Sequence, residues 1–225
     1  MNIKIFNFGA LRATCAVLWE KGPEAFVVDP CFYEDREKEQ LYDFFKQQAL
    51  VPSAILLTHT HFDHTHGVQA LSDDFGGLPV YFAAAEQPVI DSLDRQCAFL
   101  GLRVPSFNVP ARYVEDGMEI AFGDLKAEVI ATPGHTPGGV CYLFRDAKIL
   151  MSGDTLFAGT IGRTDLGHGD YDVLMESILN KLMTLDGDIE VYPGHGESTS
   201  IGVERSSNPF LEPFNEPLEE FEENE

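Results

Sequence analysis

The first thirty residues hold three short apolar stretches, Ile3 to Phe8, Thr14 to Trp19 and Ala25 to Asp29, parted by Gly9 and by the Lys21-Gly22-Pro23 turn. Apolar runs of strand length between turn residues predict a β-meander. From Glu34 to Gln48 the period changes. Leu41, Phe44 and Phe45, with Leu50 beyond them, recur at helical spacing among charged residues, which predicts an amphipathic helix laid on one sheet face. Ala54 to Leu57 is an apolar run of the kind found in a buried strand, and a polar, histidine-rich segment follows at once. The second half repeats this grammar more loosely. Strand-like runs at Ala127 to Ala131, Val140 to Phe144 and Ile149 to Met151 precede a helical pattern from Tyr171 to Leu182 and a last strand ending near Tyr192. Strands followed by a helix, occurring twice, predict an α/β fold of two similar halves, a four-layer αββα sandwich with sheet packed on sheet and helices outside. No Pro/Ser/Gly-rich linker divides residues 1–211, so they are expected to form one domain.

Composition supports a packed fold and narrows its partners. At 225 residues, 44% apolar and 11% aromatic, the chain is long enough to bury a core without disulfides. Fifteen Lys and Arg against 37 Asp and Glu give a net charge of −22, which opposes docking on nucleic acid or an anionic bilayer. Residues 212–225 hold seven Glu and no Lys or Arg, and read as an acidic, solvated tail. Cys15, Cys31, Cys97 and Cys141 form no CxxC pair, so they are expected to be reduced and buried. With neither a basic-then-apolar leader at MNIKIFNFGA nor an uninterrupted run of 18 apolar residues, the expectation is a cytoplasmic protein.

The chemistry lies at strand ends. His59, His61, Asp63 and His64 follow the Ala54–Leu57 run; His135 lies in TPGHTPGG, Asp154 in MSGDTLF and His195 in YPGHG. Five of the chain's seven histidines fall in this set, and Gly/Pro turns shape three of its four segments. Single histidines are usually satisfied core or surface residues; five at strand ends beside carboxylates indicate metal ligands instead. Residues two apart in an extended segment face the same way, so His59 and His61 can grip one ion while Asp63 and His64 turn to another. His135 completes the first half-site, His195 the second, and the Asp154 carboxylate can bridge them. Imidazole with carboxylate suits zinc, iron or manganese, and the lack of thiolate argues against a closed structural zinc site. His66 and His168 are not needed to fill either half-site and are read as supporting or surface residues. Asp29, closing FVVDP, either receives hydrogen bonds from the histidine-rich loop or caps a turn. Arg163 is the only basic residue between Lys148 and Lys181, and either clamps a substrate carboxylate or pairs with an acid such as Asp165.

Through THTHFDHTHG, TPGHTPGG, SGDTLF and PGHG, in that order over residues 58–196, the chain resembles the metallo-β-lactamase fold superfamily. The resemblance implies His59, His61, His135 and Asp154 as ligands of one metal and Asp63, His64, Asp154 and His195 as ligands of the other. Within the superfamily, FAGTIGRTDLGHGD and ERSSNPFL are similar to the glyoxalase II branch, which hydrolyses S-acylglutathiones, and to the related persulfide dioxygenases. The β-lactamases fit less well, since some carry Arg where His64 stands and they lack a bridging carboxylate at Asp154. Flavodiiron proteins usually have Glu at the position of His61 and add a flavodoxin domain, and RNase Z-like nucleases need RNA-gripping elements. Where long-form glyoxalase II has a glutathione-contacting aromatic residue after its last ligand histidine and then a helical domain, this chain reads GHGEST and ends soon after, so the short form is closer. The expected function is hydrolysis of a small-molecule thioester such as S-lactoylglutathione. Two divalent ions, zinc foremost, would lower the pKa of water from 15.7 to about 7, with Asp63 and Asp154 as the catalytic carboxylates and Arg163 as substrate contact. The alternatives are a dioxygenase with one iron on His59, His135 and Asp154, and a metal-binding protein without catalysis.

Overall fold

The computed structural model of the chain describes residues 1–214; the acidic tail expected over 212–225 lies outside them from residue 215 onward. The predicted meander is present as β1 (Asn2–Phe8), β2 (Ala13–Trp19) and β3 (Glu24–Val28), all antiparallel. Helix α1 (Asp35–Gln48) follows, closed at its start by a reciprocal Glu34/Glu37 capping box and buried through Leu41 and Phe45. It returns the chain to β4 (Val51–Leu56), parallel to β3. The short helices α2 (Phe62–Thr65) and α3 (Val68–Asp74) lead to β5 (Val80–Phe82). Next come α4 (Gln87–Ile90), α5 (Leu93–Leu100) and β6 (Ala111–Tyr113), and β6 ends the first six-stranded sheet, of order β1-β2-β3-β4-β5-β6.

The second half builds β7 (Glu119–Phe122), β8 (Leu125–Ala131), β9 (Val140–Phe144) and β10 (Ile149–Gly153). A two-stranded ribbon of β11 (Leu156–Phe157) and β12 (Thr160–Ile161) precedes α6 (Tyr171–Ser177), which runs into a π-helical turn over Ile178–Leu182. β13 (Glu190–Pro193), β14 (Thr199–Ser200) and α7 (Ile201–Ser207) follow. The sheet order is β14-β13-β10-β9-β8-β7.

Three apolar layers make the sandwich. Leu18, Phe26, Val28 and Leu56 of the first sheet meet Val129, Tyr142, Phe144 and Met151 of the second in the central layer. The outer face of the first sheet packs under α1 and α3, and that of the second under α6, the π-turn and α7. This is the four-layer α/β architecture expected from the strand and helix pattern. The four cysteines are buried and unbridged. No helix among the described residues is long and apolar enough to cross a membrane.

Strand direction is what positions the site. β8 and β9 are antiparallel, as are β9 and β10, so β8, β10 and β13 all run the same way. The residues that follow their C-terminal ends therefore emerge at one edge of the sandwich. The end of β4 reaches the same edge: the Val140 N–H donates to the Thr58 carbonyl at 2.8 Å and the Tyr142 hydroxyl to the Leu57 carbonyl at 2.9 Å.

Candidate metal centre

At that edge the seven histidines and aspartates predicted as ligands converge. Three overlapping triplets each bring ligand-type atoms within 4.8 Å of one another: His59 with His61 and His135, His59 with His64 and Asp154, and Asp63 with His64 and His195. Asp154 lies between the two ends of the cluster, with Oδ2 3.6 Å from His135 Nε2 and 3.8 Å from His195 Nε2, and Oδ1 3.6 Å from His64 Nε2. His61 Nδ1 and His135 Nε2 are 3.0 Å apart. His66 and His168 belong to none of the triplets.

The local fold aims these rings. Asp29, at φ 46° and buried, accepts the Thr58 N–H at 2.8 Å on one oxygen; on the other it accepts the Thr58 hydroxyl at 2.6 Å and His64 Nδ1 at 3.0 Å. Because Thr58 gives its hydroxyl proton to Asp29, its oxygen accepts from His59 Nδ1 at 3.1 Å. Backbone carbonyls hold two further rings: His135 Nδ1 donates to Arg163 O at 2.7 Å and His195 Nδ1 to Leu11 O at 3.1 Å. In four of the five imidazoles, then, Nδ1 is engaged behind the site and Nε2 points into it. A ligand imidazole is ordinarily fixed in this way.

Sequence reading left Asp29 open and missed Glu86. Fully buried, Glu86 accepts the Thr60 N–H at 2.7 Å and hydroxyl at 2.8 Å on one oxygen, and the Gly138 N–H at 2.8 Å on the other. It thus ties the His59–His64 turn to the His135 turn. No local motif marks it, since its partners lie 26 and 52 residues away. Glu204, also buried, accepts from the Gly159 N–H and from Asn208, steadying the segment after Asp154. Two glycines leave room for the cluster: a Cβ at Gly194 would stand 2.1 Å from Asp154 Oδ1, and one at Gly162 would stand 1.9 Å from the Asp154 carbonyl.

Electrostatics divides the cluster. Burial, reinforced by the neighbouring imidazoles, pushes His59 far down and His61 to about 3, so both rings are neutral at pH 7. Burial also opposes charge on His64, but Asp63, Asp154 and Asp29 outweigh it and hold its pKa up at about 10. Burial disfavours the Asp63 anion, yet His64, His195 and His61 keep its carboxyl below the usual carboxylate range. His59 Nε2, His64 Nε2 and Asp154 Oδ1 are buried without a hydrogen-bond partner, an arrangement that costs stability unless a cation takes up the lone pairs of His59 and Asp154 and displaces the His64 proton. The donor set of five imidazoles and two carboxylates fits borderline divalent metals.

Above the cluster opens a cavity of about 740 Å³ lined by Asp63, Asp154, His61, His135 and His195 at its floor. Arg163 borders it too; its guanidinium is engaged by Asp165 through two bonds of 2.9 and 3.0 Å.

The sequence matches the metallo-beta-lactamase superfamily over residues 9–195, a span that ends on the last of the seven converging residues. The chain belongs to the metallo-beta-lactamase superfamily. Hydroxyacylglutathione hydrolase GloC of Haemophilus influenzae is 34% identical over 212 residues, covering 94% of this chain and 98% of GloC. Two solved members superpose closely. BLEG-1, described as a B3 metallo-beta-lactamase, gives a TM-score of 0.84 at 37% identity over 93% of this chain and 99% of its own. TTHA1623, in a di-iron-bound form, gives 0.82 at 36% identity over 92% of this chain and 100% of its own. As a metallo-beta-lactamase superfamily member, the chain has its candidate metal site where strands from both sheets end.

Proposed function

We propose that the chain is a metal-dependent hydrolase that cleaves thioesters, the reaction for which S-lactoylglutathione is the simplest probe, at a centre holding two divalent ions. Zinc is the first candidate, iron or manganese the others. The observation that carries the reading is the set of orphaned buried atoms, His59 Nε2, His64 Nε2 and Asp154 Oδ1, aimed at one shared space beneath an open cleft. His59, His61 and His135 would hold one ion, Asp63, His64 and His195 the other, with Asp154 shared. GloC supplies the precedent for the thioester class.

Bound divalent ions would supply Lewis-acid charge that makes water acidic and polarises a carbonyl. The chain's own residues do the rest. Asp63 and Asp154 border the cleft and are the carboxylates within reach of a water attacking from the floor; Asp63, held anionic by its histidine neighbours, accepts a hydrogen bond from that water and orients it. The water oxygen bonds to the thioester carbon, the C–S bond breaks with its electron pair on sulfur, and the products are a carboxylate, a thiol and a proton. A thiol pKa of about 8.5 lets sulfur leave without a strong acid beside it.

The test is purification without added metal, followed by elemental analysis and a thioester assay on the same sample. About two ions per chain with thiol release is the expected result. One iron per chain with oxygen consumption on glutathione persulfide would replace hydrolysis by dioxygenation. A fully metallated protein inert towards thioesters, lactones, β-lactams and persulfides would mean a metal-binding role without catalysis.

A further inference from the structure

The reaction leaves open what is attached to the thioester, and the cleft walls bear on that. Away from the polar floor the lining is mostly apolar, with Gln96 and Thr160 among it: Phe157 and Ile161 are the more buried members, and Leu11, Phe99, Leu100 and Leu166 form the exposed mouth. The four at the mouth are exposed, Phe99 by 90% and the others by 46–48%. Exposed apolar side chains that gather around one opening, continuous with a polar reaction site, mark a surface kept for an apolar ligand.

The wall that carries Phe99 and Leu100 is also held in place. They end α5, whose C-cap Gly101 is left-handed. Just beyond, the Arg103 N–H donates to the Tyr33 hydroxyl at 3.1 Å and its guanidinium to the Tyr33 carbonyl at 3.1 Å, while His66 Nε2 donates to the Arg103 carbonyl at 2.9 Å. The apolar end of α5 is thereby pinned to the segment that follows the ligand turn.

Charge points the same way. Of the residues lining the cavity, Arg163 is the one Lys or Arg, and one edge of its guanidinium, Nε and Nη2, is engaged by the Asp165 carboxylate. The chain as a whole carries −22. Arg12 and Arg95 are exposed nearby in sequence to Leu11 and Phe99 but do not line the cavity. Along the cleft walls, away from the floor, a ligand bearing carboxylates meets one cationic side chain and shares it with Asp165.

Resting on the thioesterase reading, we infer that the preferred substrate is a thioester whose carrier thiol and acyl chain are uncharged and apolar, seated against Phe99, Leu100 and Leu166, and that the Arg163–Asp165 pair disfavours carriers with carboxylates such as glutathione.

The experiment compares four substrates with the metal-loaded full chain: acetyl and octanoyl thioesters of N-acetylcysteamine, an uncharged carrier, and the same two on glutathione. We expect kcat/KM for octanoyl-N-acetylcysteamine to exceed that for octanoylglutathione by about tenfold, and Phe99→Ser or Leu166→Ser to lower the former by about tenfold while sparing the acetyl thioester. Asp165→Asn, which frees Arg163, should raise turnover of both glutathione thioesters severalfold and leave the uncharged pair unchanged. Binding of the non-hydrolysable thioethers S-octyl-N-acetylcysteamine and S-octylglutathione, read by calorimetry, should show the same preference. Equal or better turnover and binding with the glutathione carrier, or selective loss of the glutathione substrates in Arg12→Ala or Arg95→Ala, would overturn the inference while leaving the thioesterase intact. Absence of thiol release from all four substrates would instead overturn the thioesterase reading, and thioether binding then still decides which ligands the cleft prefers.

Discussion

At the floor of the cleft, His59, His64 and His135 are at most 4% exposed, and each ring has its rear nitrogen held by a hydroxyl, a carboxylate or a carbonyl. At the mouth, Phe99 is 90% exposed and held only through the backbone of its helix and the Arg103 contacts that follow. One region is polar, buried and held from behind; the other is apolar, exposed and free of side-chain hydrogen bonds. The difference separates two tasks. Atoms that must meet a cation need fixed positions, because a misplacement of an ångström is costly. A surface that accepts apolar groups needs area, whose contribution scales with contact and carries no directional demand.

Substitutions can break this contrast, the heaviest at the floor. Asp154→Asn should remove about one metal equivalent and lower thioester kcat/KM by about a thousandfold, near 4 kcal/mol of transition-state stabilisation. Full metal content in that variant, measured by elemental analysis, would count against a shared carboxylate. Behind the ligands, Asp29→Asn should weaken metal binding by about ten- to a hundredfold, read by competition with a chromophoric chelator; unchanged affinity would make Asp29 a turn residue only.

A smaller effect follows from His64. Its pKa is about 10 in the folded protein against 6.5 as a free side chain, so the metal-free fold binds that proton more tightly than the unfolded chain does. The stabilisation is complete below pH 6.5 and is lost as pH rises through about 10. The Tm of chelator-treated protein should therefore fall by a few degrees between pH 7 and 10 relative to His64→Gln; parallel curves for the two proteins would contradict it. Smallest of all, Phe99→Ser should leave metal content unaltered and Tm within about 2 °C of the parent. A larger drop would show that the mouth supports the fold and would erase the contrast.

Much of this was readable beforehand because it is periodic or local. The meander, α1 and the 171–182 helix follow from apolar spacing within single elements, and the ligand turns announce themselves through His and Asp beside Gly and Pro. The β5, β6 and β7 strands are three or four residues long, too short for a period to show. α5 has few buried positions, Leu93 and Cys97, because its last turn faces the cleft. Glu86 and Glu204 look like ordinary surface acids in the sequence; only tertiary contact reveals their backbone and amide donors. Arg163 was legible as a position but not as a partner, since Asp165 and a substrate carboxylate present the same chemistry to a guanidinium.

Glu86 also joins the two regions. It immediately precedes α4, and α5 follows α4 after a break of two residues, so the stretch ending in Phe99 is rooted at the carboxylate that staples the turns bearing His59 and His135. One buried carboxylate therefore anchors both the ligand turns and the start of the apolar wall, so its loss would unfasten the two regions together.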